Sequence, residues 1–195
     1  MVAMLAVVIA WICWGILVAV WVAGALYNAG HSPTALTRGR FWFVSVAVAW
    51  LVLRLLPRRD TRFLLVHGTG LRLAGIAALL AATAFTVWAR LTLGRMWSAA
   101  PLVRQEHELR TNGPYAVTRH PIYTGLLAML AGTALLSGLG PWAVLFVVAV
   151  VGLEFKLREE ERLMAGEFGT AYEEYRRRVP QLVPGLYLAV GHRHR

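Results

Sequence analysis

Residues 119–161 read RHPIYTGLLAMLAGTALLSGLGPWAVLFVVAVVGLEFKLREEE. Two apolar runs, Tyr123 to Leu139 and Pro141 to Leu157, are separated by Gly140 alone, and Pro141 stands where proline is favoured, in the first turn of a new helix. This spacing predicts a tight antiparallel helical hairpin. The outer ends of the hairpin then lie side by side, which brings Arg119 and His120, ahead of the first run, toward Glu159, Glu160 and Glu161, beyond the second. At 100° per residue at least one of three consecutive acids must point back toward the bundle. A carboxylate at the edge of a membrane needs a cationic partner there.

The rest of the chain carries the same apolar signature. Of its 195 residues 58% are hydrophobic and 15% charged, whereas an ordinary soluble domain carries about 25% charged residues. Three further runs can be set against the roughly 20 residues a helix needs to cross about 30 Å of hydrocarbon. Val2 to Tyr27 has no charge and no basic segment before it, so it is expected to be a permanent span rather than a cleaved leader. Phe41 to Leu56 is short, with Arg54 near one end able to reach the headgroups, and it stops at Pro57. Leu71 to Leu93 has Arg72 and Arg90 near its limits and an alanine-rich middle suited to close helix packing. The expected fold class is all-α: an integral membrane helical bundle of about five transmembrane helices, with a C-terminal helical segment in water. Residues 1–93 would form three N-terminal spans. Residues 94–195 would form a second half, made of a polar loop, the hairpin 121–157, and a charged helix and tail.

Twenty Lys and Arg against ten acids give a formal charge of +10. The cations flank apolar runs instead of forming a stripe, which argues for a membrane and against a nucleic-acid partner. Up to residue 105 there are ten Arg and a single acid, Asp60; the remainder holds ten Lys/Arg and nine Glu. With the N-terminus outside, fifteen cations fall on the inner side and five, at 54, 58, 59, 62 and 72, on the outer. The positive-inside rule therefore places both the 94–120 segment and the tail in the cytoplasm, with the basic 58–62 loop running against the trend.

Several chemistries are excluded early. Cys13 is the only cysteine and lies in an apolar run, which leaves no disulfide framework. The six histidines are scattered without an HxxxH pair, so no metal site is expected, and His192 and His194 belong to a polar tail. No GxGxxG follows a strand pattern, and neither a nucleophilic Cys nor a Ser-His-Asp set is present. What remains is a polar cluster at the lipid boundary. Thr111-Asn112-Gly113-Pro114 is a turn, Arg119-His120 precedes Pro121, Tyr115 and Tyr123 stand nearby, and the helix after Lys156 supplies carboxylates and pairs such as Lys156 with Glu160.

These residues carry a resemblance. Gly113-Pro114-Tyr115, Arg119-His120-Pro121-x-Tyr123-x-Gly125, Glu160-Glu161, Phe168-Gly169, Tyr172, Tyr175 and Arg178-Val179-Pro180 follow one another as in the isoprenylcysteine carboxyl methyltransferases and the related phospholipid methyltransferases. The chain resembles that family over about residues 91 to 186. The resemblance implies an S-adenosylmethionine-dependent membrane methyltransferase whose cofactor lies between the loop before the fourth span and the helix after the fifth, without a Rossmann domain. It implies cofactor contacts from His107, Gly113, Tyr115, Arg119, His120, Pro121, Tyr123, Gly125, Glu160 and Glu161, and catalytic roles for Glu161, Arg119 and Lys156. Where family members have an arginine shortly before the glutamates this chain has Lys156, which lacks the bidentate fork. The donor set suits the cofactor: a carboxylate for its ammonium, Arg or His for its carboxylate, tyrosine faces for adenine and sulfonium.

The acceptor is expected to be a lipid-like or isoprenoid molecule reaching the site from the membrane, most simply at a carboxylate, through an opening near Trp88, Trp97, Met129 and Phe155. Partners would be membrane lipids and this lipophilic acceptor; the oligomeric state stays open. Three other readings remain. One is a phospholipid N-methyltransferase, with an amine as acceptor. Membrane sterol reductases have a similar HPxY turn and use NADPH, but Gly125 and the Glu160-Glu161 pair favour methyl transfer. A non-catalytic scaffold whose charged tail binds anionic lipid would make the glutamate pair dispensable.

Overall fold

A computed structural model describes residues 2–29, 66, 68–94 and 109–183. The expected second span, Phe41 to Leu56, lies outside the described residues, as do His107 and Trp97. The described elements are helical: α1, Val2–Ala29; α2, Thr69–Leu93; a one-turn α3, Pro114–Val117; α4, Pro121–Ser137; and α5, Pro141–Arg178. α1, over Val2–Tyr27, and α2 are long and apolar enough to cross a bilayer, whereas the apolar α4 is shorter.

The hairpin forms between α4 and α5, although its turn is longer than the single glycine expected. Gly138 (φ 84°), Leu139 (φ 66°) and Gly140 (φ 51°) all adopt positive φ, so α4 stops at Ser137. Three successive residues in that region cannot continue a right-handed helix, and two of them are the residue type that enters it without a Cβ penalty. Pro121 and Pro141 open their helices, as the sequence indicates.

The bundle is held by close backbone approach between α2 and α4. A Cβ added at Gly75 would stand 2.5 Å from the Leu136 nitrogen and 2.9 Å from the Gly132 carbonyl. One added at Gly132 would stand 2.9 Å from the Leu79 nitrogen. Inside a bilayer, lipid tails are as apolar as leucine, so backbone contact of this kind and short polar links hold helices together. Thr83, Thr86 and Thr133 are buried and return their hydroxyls to the carbonyls of Leu79, Ala82 and Met129 at 2.7, 2.7 and 2.8 Å. Thr133 also accepts from Trp14 Nε1 at 3.1 Å, tying α1 to α4. The α1 stripe Ala6, Cys13 and Leu17 packs on Leu79, Ala82, Met129 and Leu136. Met129 is thus part of the helix core and does not line an opening, whereas Trp88 and Phe155 are exposed.

The outward faces are apolar. Met4, Trp11, Ile12 and Leu26 on α1 and Val147, Val148, Val151 and Phe155 on α5 are exposed, as expected of a surface that meets lipid. α5 changes character along its length, from this apolar first half to a charged second half beyond Glu154. It continues unbroken to Gly169, whose φ of 50° reverses the chain. The reversal lets Tyr172, Tyr175 and Val179 pack back on Met164, Ala165 and Phe168, with Leu109 completing a small second core on the polar side.

Candidate functional site

The two groups expected to meet do meet. Arg119 donates from Nε and Nη2 to Glu161 Oε1 at 2.9 and 2.6 Å, and His120 Nε2 lies 3.3 Å from the same oxygen. The other face of the imidazole, Nδ1, is 3.8 Å from Glu160 Oε2. Tyr123, one turn into α4, donates to Glu160 Oε1 at 2.7 Å. Lys156 Nζ is 3.5 Å from that oxygen and 5.3 Å from the centre of the Tyr123 ring. The antiparallel hairpin places all of these at one end of the bundle, where α5 leaves the apolar zone.

The electrostatics follow from this geometry. Burial works against ionisation of Glu161, but hydrogen bonds from His120 and Arg119, together with their charge, outweigh it and hold the carboxyl below its ordinary range. Every hydrogen bond and ion pair to the Glu161 carboxylate among the described residues falls on Oε1. The side chain retains 14% exposure, against 7% for Arg119.

Arg119 has a second set of contacts that sequence reasoning missed. Its Nη1 donates to the carbonyls of Arg176 at 3.1 Å and Val179 at 2.6 Å. Counting the two bonds to Glu161, four of its five N–H groups are directed to protein acceptors, so its main visible work is to hold Glu161 and the chain after Tyr175 in register.

The remaining expected residues fall into two groups. His120, Tyr123, Glu160, Glu161 and Lys156 present polar atoms to one another. Gly113, Tyr115, Pro121 and Gly125 build the frame. Gly113 takes φ 58° at the turn, and a Cβ there would sit 3.6 Å from Trp88 and from Thr92, which seats the turn on the end of α2. Tyr115 is buried, burial pushes its hydroxyl pKa well above the usual range, and its carbonyl accepts from the Tyr175 hydroxyl at 2.6 Å. Gly125 faces α2, where a Cβ would collide with the Thr86 hydroxyl. Its side is the helix interface rather than the polar cluster.

Tyr172 was singled out by sequence without a role. It is 1% exposed, burial raises its pKa, and it feels the charges of Glu161 and Arg119. Its hydroxyl meets no hydrogen-bond geometry among the described residues, although the Arg119 guanidinium stands close enough to favour its ionised form. Removing an unpartnered buried hydroxyl lifts a desolvation cost, so Tyr172→Phe is expected to leave the melting temperature unchanged or raise it. A fall of several degrees in a detergent melt would show that the hydroxyl has a partner.

Residues 74–166 match the isoprenylcysteine carboxyl methyltransferase family. A solved eukaryotic intramembrane Ras methyltransferase of that name superposes with a TM-score of 0.52, covering 80% of this chain and 53% of that one at 21% identity, a likeness of fold. The region belongs to this family. The family match begins inside α2, upstream of the motifs quoted above, in keeping with the backbone contact that makes α2 part of the α4 frame. Among curated relatives, the chain is 36% identical over 102 residues to the cobalt-zinc-cadmium resistance protein CzcN of Cupriavidus metallidurans, covering 51% of this chain and 47% of that protein. It is 43% identical over 84 residues to methanethiol S-methyltransferase 2 of Bradyrhizobium diazoefficiens, covering 40% of this chain and 29% of that one. The chain thus spans about half the length, or less, of these relatives. The family match over residues 74–166 and the helices of crossing length agree in describing a membrane protein.

Proposed function

We propose that the protein is a multi-pass membrane methyltransferase that uses S-adenosylmethionine to methylate a lipid-like or isoprenoid acceptor, at a carboxylate, with its site facing the cytoplasm. The observation that carries this reading is the convergence of Arg119, His120 and Tyr123 on Glu160 and Glu161 at the end of the hairpin. The donor set fits the cofactor. Glu161 Oε2, outside every protein hydrogen bond among the described residues, suits an ammonium, and the Lys156 ammonium over one face of the Tyr123 ring leaves the opposite face as the one for a ligand. Bound S-adenosylmethionine would supply a methyl group activated by its sulfonium.

The chain's own residues have modest chemical duties in such a transfer. Alignment of acceptor and methyl, with water excluded, accounts for most of the acceleration in reactions of this type. A carboxylate acceptor requires no general base; an amine or thiol acceptor requires proton removal, for which Glu161 is the candidate. Arg119 acts here by fixing Glu161, and Lys156 is the cation with room to approach an acceptor anion, at 34% exposure. The positive-inside count supports the cytoplasmic placement. The relative named for methanethiol widens the acceptor question to sulfur.

Titration calorimetry in detergent tests the reading. S-adenosylmethionine or its demethylated product is expected to bind in the micromolar range and Glu161→Gln to weaken it at least about tenfold, the scale of one charge-assisted hydrogen bond. Binding of NADPH with none of either sulfonium-derived ligand would overturn it in favour of a reductase. Incubating membranes with methyl-labelled cofactor then assigns the acceptor: base-labile label in the lipid extract marks a methyl ester, stable label an amine, thioether or ether.

A further inference from the structure

Beyond α5 the chain runs back along the start of α4 as a short strap, Val179–Leu182. Each of its four successive carbonyls accepts a hydrogen bond from residues 118–124. Val179 takes Arg119 Nη1 at 2.6 Å, and Pro180 takes the Arg119 amide at 2.9 Å. Gln181 takes both the His120 amide at 3.2 Å and the Thr118 hydroxyl at 2.7 Å. Leu182 takes the Thr124 hydroxyl at 2.7 Å. The two threonine oxygens are 3.2 Å apart. Each hydroxyl has a single proton, and the shortest contact of each is to the strap, so the pair acts as two donors side by side on adjacent strap carbonyls. The Thr124 amide donates to the His120 carbonyl at 3.0 Å while its hydroxyl donates to Leu182, so the one residue joins the strap to the backbone of His120.

We infer that Thr124, with Thr118, latches this strap and is thereby a positioning residue for the site: it fixes the backbone of Arg119 and His120, whose side chains meet Glu161. The residue lies between Tyr123 and Gly125, yet its hydroxyl faces the strap, not the carboxylates. Among the described residues the Arg119 amide bonds only to the strap, at Pro180, whereas the His120 amide is shared between the Gln181 carbonyl and the Thr118 hydroxyl, 3.2 Å from each, so exchange at Arg119 reads the latch most directly. The link from latch to cofactor rests on the function proposed above.

The test compares Thr124→Val, which keeps the shape and removes the donor, with Thr124→Ser, which restores a hydroxyl, in the full chain in detergent. Hydrogen exchange over residues 118–122 is expected to quicken about tenfold in Thr124→Val, the loss of one buried hydrogen bond, and to return toward wild type in Thr124→Ser. Affinity for S-adenosylhomocysteine should fall about tenfold in the valine variant and recover in the serine variant. Unchanged exchange in Thr124→Val, faster exchange with unaltered affinity, or a serine variant no better than valine would each overturn the inference. A wild-type protein that binds no S-adenosylhomocysteine would defeat the methyltransferase reading, while the exchange comparison would still decide whether the latch exists.

Discussion

Arg119→Met is expected to unfold the polar end of the molecule at a markedly lower temperature and to abolish cofactor binding. The substitution removes both bonds to Glu161 and both bonds to the Arg176 and Val179 carbonyls, and among the described residues leaves Glu161 with His120 as its sole hydrogen-bonding partner. Breaking a largely buried ion pair by deleting one partner costs about 3 kcal/mol or more, which for a chain of this size is on the order of 10 °C in melting temperature. Arg119→Lys should recover little. A single ammonium cannot reach one carboxylate and two carbonyls in the planar fork that the guanidinium provides. Paired detergent melts of the two variants, with and without S-adenosylhomocysteine, check this. A lysine variant that melts and binds like wild type would show that charge alone, and not the fork, is what the site requires.

Gly75→Val should be still more damaging, for a different reason. A branched side chain there would enter the backbone of α4 at Leu136 and Gly132, and backbone cannot rotate away as a side-chain tip can. Overpacking costs about 1–3 kcal/mol where neighbours can adjust; with main chain on the far side the α2–α4 contact itself must open. Gly152→Val is the matched control. It lies on the exposed face of α5 with nothing within 4 Å of an added Cβ. Size-exclusion profiles in detergent should show Gly75→Val aggregated or lost and Gly152→Val indistinguishable from wild type. Equal behaviour of the two would mean that the close α2–α4 approach is not what holds the bundle.

The hairpin and the meeting of its ends were legible because they depend on short-range signals: Pro141 after a glycine, an apolar run of fixed length on either side, and charges confined to the outer ends. Other features were hidden for physical reasons. Gly169 sits among good helix formers, and nothing in its neighbours announces that this glycine, unlike Gly152 or Gly166, takes positive φ and reverses the chain. The strap is an arrangement of carbonyls, which every residue has, so Val179-Pro180-Gln181-Leu182 has no composition that marks it. The family resemblance assigns Gly125 to the cofactor pocket, and what no sequence signal announces is that its missing side chain admits the close approach of Thr86. Met129 was set near a membrane opening on the strength of its apolar character alone, and the same character puts it in the core. Tyr172 and Tyr175 could have been paired in advance, since residues three apart share a helix face; their ring centres lie 6.1 Å apart.

α5 runs without a break from Pro141 in the apolar zone to the glutamates in water. At about 1.5 Å per residue, Glu161 stands roughly 30 Å from the hairpin turn. A rod of that reach is a lever. Pivoting it by about 5° carries the carboxylates some 2.6 Å, nearly the length of a hydrogen bond. Helices answer a thicker or thinner bilayer by changing tilt, and any change in the tilt of α5 displaces its glutamates further than any residue nearer the turn.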